Sequence, residues 1–127
     1  MKKSKDIEYL IQQTLNSRIT TYCRPLPANY ALPNILVSQV GGVSEVDWSD
    51  TPYLDRFAIV IDARAEEEAT ALDTLNTAIA LLRESNNFRR VLINTMGSWG
   101  MDPVRPDLAM CSARIEVSIS LDDISIS

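Results

Sequence analysis

The sequence contains no histidine. That absence removes the Ser-His-Asp and Cys-His nucleophile arrangements, the commonest general base, and nearly every zinc-site pattern. Cysteine is scarce: Cys23 and Cys111 lie far apart in unlike contexts, with no Cys-x-x-Cys pair and no disulfide framework. No apolar run approaches the length of a membrane span. The opening MKKSKDIEYLIQQ has lysines without an apolar stretch behind them, so it is not a secretory signal. A soluble protein of the cytoplasm, with no membrane partner, is expected. Positive charge is also short: 12 Lys and Arg against 17 Asp and Glu leave a net charge of −5. The chain as a whole therefore has no electrostatic appetite for nucleic acid or an acidic membrane. Glycine occurs only four times. Gly41-Gly42 is no phosphate loop, because neither Lys-Ser/Thr nor a helix follows it. It reads as a turn or bulge needing positive φ.

What remains is a chain of 127 residues, the size of one domain spanning 1–127 and long enough to bury a core. Ser4 stands where a helix cap belongs, with Asp6 and Glu8 in the first turn. Ile7, Leu10, Ile11, Leu15 and Ile19 recur at spacings of three and four and predict a helix over about residues 5–19. Residues 20–34 hold three prolines and predict no single regular element. A short strand over 35–40 ends at the glycine pair, and VSEVDWSDTP reads as a long excursion. Phe57, Ile59, Ile61 and Ala63 alternate with polar or smaller residues and predict a strand. A second helix starts in the Glu66-Glu67-Glu68 run, buries Leu72, Leu75, Ile79 and Leu82, and stops at Ser85-Asn86-Asn87. A strand over 90–95 follows. From Ala109 to Leu121 every second residue is apolar, which predicts a long half-buried strand with Cys111 on its dry side as an inert core thiol. The expected fold is thus α+β in two layers, ordered α-β-β-α-β-β. A four-stranded, mostly antiparallel sheet carries both helices on one face.

Carboxylates are the only catalytic currency left. Asp47, Asp50 and Asp55, Asp102 and Asp107, and Asp122 and Asp123 match no calcium-loop spacing and read as solvated turn residues. No cofactor and no metal are expected, and no enzyme. Attention passes to the long segments between strands, which hold Trp48, Tyr53, Trp99 and Met101. Each tryptophan either folds back to plug an end of the core or anchors a contact between proteins, where Trp, Tyr and Met are enriched. Pro103 and Pro106 stiffen GSWGMDPVRPD, lowering the entropy lost on docking, and place Asp102 and Arg105 in the same candidate contact loop.

In order and spacing, nearly the whole chain resembles a tail terminator (tail completion) protein of long-tailed bacteriophages. The resemblance is carried by four pieces: the helix DIEYLIQQTLNSRI before a Pro-rich link; the strand NILVSQVGGV before a variable insert; the strand and helix of DTPYLDRFAIVIDARAEEEATALDTLNTAIALL; and WGMDPVRPDLAMCSARIEVSISL. One departure is Ala109-Met110, where that family tends to carry Arg-Tyr before the last strand. The resemblance implies a ring, typically of six subunits, capping the finished tail tube and facing the head connector. Its implied partners are copies of itself, the tail tube protein and a head-completion or connector protein, with DNA only as passing cargo. It implies a place at the neck of the virion after assembly in the host cytoplasm, and makes GSWGMDPVRPD an assembly loop. Another neck component, a head-completion or stopper protein, is the nearest rival expectation. From a different class, a ferredoxin-like module binding a small ligand would share the scaffold.

Overall fold

The computed structural model of the chain describes residues 4–46, 52–102 and 105–120. In chain order the elements are α1 (Ser4–Leu15), β1 (Thr21–Cys23), β2 (Asn34–Val46), β3 (Pro52–Ala65), α2 (Glu68–Glu84), β4 (Arg90–Met101) and β5 (Ala109–Ser120). The α+β class and the two helices agree with the sequence reading. The sheet does not: it has five strands in the order β1-β2-β3-β5-β4 and is mixed, β1 running parallel to β2 while the other pairs are antiparallel.

The extra strand lies inside the proline-bearing stretch, in three residues too short to show alternation. It is held from both sides. Ile35 N–H bonds to Thr20 O, while Gln12 Nε2 donates to Thr21 O at 2.9 Å and Thr21 N–H donates to Asn16 Oδ1. Side chains of α1 and the turn after it thus occupy the rim of β1.

Both helices sit on one face. Ile7, Ile11 and Leu15 of α1 meet Leu75, Ala78 and Leu82 of α2 in a single core cluster over Ile35, Val37, Ile59, Ile61, Cys111, Ala113, Ile115 and Val117. Helix α1 stops at Leu15 rather than Ile19, the chain continuing in turns that return Arg18 and Ile19 N–H to Leu15 O. Glu8, placed by the sequence in the first turn of the helix, is buried. It accepts from Arg24 Nη2 at 2.7 Å and Gln39 N–H at 3.0 Å, tying α1 to β2. Helix α2 has Glu67 at its N-cap, so only Glu68 of the acidic run lies in its first turn. Its buried stripe is Ala71, Thr74, Leu75, Ala78, Ile79 and Leu82, whereas Leu72 is exposed. Small residues let the helix lie close on the sheet, and Thr74 hides its hydroxyl by bonding to Thr70 O.

Three further expectations change. Strand β2 passes through Gly41-Gly42 to Val46, with a register shift between Gln39 and Gly41. A Cβ at Gly42 would lie 3.1 Å from Arg56 O, so close backbone approach explains that glycine; the positive φ among described glycines is at Gly97 instead. The expected excursion after β2 is mostly hairpin, since β2 and β3 pair as far as Val46 and Pro52. Strand β4 runs on to Met101, so half of GSWGMDPVRPD is strand.

Candidate assembly surface

Among the described residues strand β4 is an edge, paired on one side with β5 and open on the other. Its register against β5 slips twice, between Ile93 and Thr95 and between Met96 and Ser98. Each bulge inserts one residue, Asn94 and then Gly97, and Gly97 sits at φ 77, a conformation glycine adopts without penalty. The insertions reset the alternation. Ile93 faces Ile115, Met96 faces Ala113, Trp99 faces Cys111 and Met101 faces Ala109. Opposed residues of an antiparallel pair share a face, and Ile115, Ala113 and Cys111 point into the helix-covered core. All four β4 side chains therefore lie on the helix side of the sheet, in line with buried Val91.

Among the described residues no helix covers them. Ile93, Met96, Trp99 and Met101 are 36%, 38%, 48% and 69% exposed, increasing along the strand. Two helices about 10 Å across span roughly 20 Å, whereas five strands at about 4.8 Å span roughly 24 Å. The sheet overhangs its helical layer by about one strand. Between this shelf and α2 runs a groove of about 350 Å³ lined by Asn76, Ile79, Ala80, Arg83, Glu84, Ile93 and Met96.

A polar clamp fixes the chain where it leaves the shelf. Asp102 is buried, its Oδ2 accepting from Arg64 Nε at 2.7 Å and its Oδ1 accepting Arg105 N–H at 2.9 Å. Arg64 is buried as well, at the end of β3, and among the described residues its Nη1 meets no acceptor. The exposed Arg105 guanidinium bonds both oxygens of Asp107 at 3.0–3.2 Å. That hydrogen bond holds the Asp107 carboxyl below the ordinary range and raises Arg105 above it. Leu108 then turns inward, its N–H bonded to Arg105 O.

The structure thus divides the sequence candidates. Trp99 and Met101 come together on the shelf, and Arg105 and Pro106 are exposed beside it. Asp102 is no contact residue: it is the buried anchor of the loop. Tyr53 lies near the start of β3, whose other end carries Ala63 level with Cys111 and Trp99. The nine-residue rise from Leu54 to Ala63 puts Tyr53 about 30 Å from Trp99, so the two belong to separate places. Trp48 and Pro103 lie outside the described residues. Ile93, Met96 and Arg64 were not singled out by sequence; the three-residue steps 93, 96 and 99 are the signal that would have found the stripe.

Other places offer less chemistry. Cys111 is fully buried and burial pushes its thiol up, away from the reactive thiolate. Cys23 forms no disulfide, and its Sγ donates to Gln12 Oε1 at 3.4 Å. On the far face of the sheet Ser112 Oγ donates to Asp62, and Arg56 lies 3.9 Å from Glu116. Among the described residues no three His, Cys, Asp or Glu side chains group as metal ligands, and no helix is long and apolar enough to cross a membrane. An open groove of about 490 Å³ runs between α2 and the turn after α1, lined by Arg18, Thr20, Pro33, Thr70, Asp73 and Thr77 among others. Compared with known families and with curated proteins, the chain matches no family model and no curated sequence.

Proposed function

We propose that this chain is a structural assembly protein of a long-tailed phage: a tail terminator that closes into a ring, capping the tail tube and joining it to the head connector. The observation that carries the reading is the shelf, four large apolar side chains in line on an open edge strand of an acidic domain. Contiguous exposed apolar surface rimmed by polar residues marks protein–protein contact sites, and Trp and Met are typical anchors of such sites. The order of elements that prompted the resemblance persists, with one short strand added. Catalysis forms no part of this function. Six copies would bring about −30 formal charges to the neck, which favours DNA sliding past without sticking.

Purified protein mixed with tail tubes tests this directly. Electron micrographs should show a ring seated at one end of each tube, and Trp99→Ala should reduce capping while the circular dichroism spectrum stays native. Tubes left bare by the native protein would refute the reading. The groove beside Arg18, Thr70 and Asp73 favours one other reading, a small-ligand module. Its prediction is a monomer, indifferent to tubes, whose Asp73 and Thr70 amide resonances shift with a bound metabolite.

A further inference from the structure

We infer that the free protein is a two-fold dimer in which two copies cover each other's shelf. Along β4 the residues on the helix side are Val91, Ile93, Met96, Trp99 and Met101. Their spacing is symmetric about Met96: steps of three reach Ile93 and Trp99, and steps of five reach Val91 and Met101. A two-fold axis at Met96, with two β4 strands antiparallel, sets Ile93 against Trp99 of the partner subunit and Val91 against Met101 of the partner subunit. Self-complementarity of this kind is what an isologous interface requires, residue i meeting j and j meeting i.

Three other observations favour a like copy as the occupant. First, β1 spans three residues and Gln12 and Asn16 already occupy its rim, whereas β4 spans twelve and, among the described residues, is open. Two sheets therefore meet most readily β4 to β4. Second, the groove wall carries one charge of each sign, Arg83 and Glu84, and among the described residues neither makes an ion pair. At this end of the shelf the two charges cancel. This locally neutral strip is where two bodies of net charge −5 approach at least cost. Third, the stripe offers roughly 400 Å² of apolar surface per copy, about half of one side of a standard interface, and the last turns of α2 supply more. The bulges at Asn94 and Gly97 interrupt the edge ladder near the axis, so the side chains of the stripe carry the contact rather than a run of backbone hydrogen bonds.

The pairing presupposes, as the assembly reading does, that the shelf binds protein; beyond that it assigns a resting state. A copy whose shelf is covered does not engage a ring neighbour or a tube until its partner leaves. The dimer thus delays assembly until a competing surface is present.

Sedimentation velocity over a concentration series, without tubes, tests the dimer. The expected result is a monomer–dimer equilibrium. Arg83→Glu weakens it about tenfold by turning the neutral strip acidic on both copies, and Arg83→Glu with Glu84→Arg restores the neutrality and the dimer. Trp99→Ala weakens it roughly a hundredfold or more, since each interface loses two anchors. In a Cys23→Ser background, Met96→Cys should oxidise to a single dimeric product, because the residue meets its own copy at the axis. A monomer at every concentration overturns the dimer, as does a ladder of larger cross-linked species or a dimer indifferent to Arg83 and Trp99. Tube capping by the native protein is scored separately, so a failed dimer with intact capping leaves the assembly reading standing.

Discussion

Replacing Asp102 should unfold more of this protein than its place in a connecting loop suggests. Asp102 and Arg64 are both over nine-tenths buried and bonded at 2.7 Å. Asp102→Ala removes the carboxylate and leaves the guanidinium in the interior, where among the described residues Nη1 already meets no acceptor. Breaking one partner of a buried pair costs about 3–5 kcal/mol, because the surviving charge is desolvated and uncompensated. Set against a total of roughly 5–15 kcal/mol for a domain, that is a large share. The loss also frees Arg105 N–H, which Asp102 Oδ1 accepts. Urea unfolding followed by circular dichroism should show a lower midpoint with an unchanged slope, and melting should fall by roughly 10–20 °C. Arg105→Ala is the control: its side chain is exposed, its backbone bond to Asp102 survives, and stability should stay near that of the native protein. Arg64→Met with Asp102→Leu should recover most of the loss, since apolar residues of similar volume replace a buried pair at little cost. If Asp102→Ala melts within a few degrees of Arg105→Ala, the clamp is not the anchor described, and this account of the loop fails.

Leu82 is fully buried between α2 and the sheet, so Leu82→Ala should cost about 2–5 kcal/mol in equilibrium unfolding, while the exposed Leu72→Ala should cost far less. Gly97→Ala meets no steric neighbour but must hold φ 77, and should destabilise by about 1 kcal/mol; Gly97→Asn should be milder. The Asp107 carboxyl, held low by Arg105, should titrate in NMR below an ordinary aspartate, and Arg105→Ala should raise it. The sign follows from that depression: whatever this exposed pair adds is present above the unfolded pKa and lost as pH falls through the folded one. Cys111, its thiol raised by burial, should resist a thiol reagent until urea unfolds the chain, with Cys23 labelling first. Fast labelling of Cys111 in the native protein would contradict its place in the core.

Helices α1 and α2 and strands β3 and β5 were legible because each buries one face throughout, and the period shows in side-chain polarity. The readings that failed share a cause: the pattern was interrupted or carried by partners far away. Strand β4 looked finished at Thr95 because Asn94 and Gly97 break its alternation, and the same bulges turn Met96 and Trp99 onto one face. Strand β1 has too few residues for any period. Leu72 was assigned to the core on hydrophobicity, whereas the helix turns Ala71 and Thr74 inward. Asp102 was read as a solvated loop acid because its partner is 38 residues away. Of the candidate surface, Trp99 and Met101 were visible in the sequence; their alignment with Ile93 and Met96 depends on register.

The capped rim of β1 has a consequence for how this molecule fails. Runaway polymerisation by strand addition needs two receptive borders per molecule, so that each newcomer offers a template to the next. Here a chain that docks through β4 turns an occupied or blocked margin outward, and growth halts after one addition. Shortening the side chains that guard the short strand, as in Gln12→Ala with Asn16→Ala, would open the second border. Fibrils binding thioflavin should then appear with this double variant and not with the native protein under the same conditions.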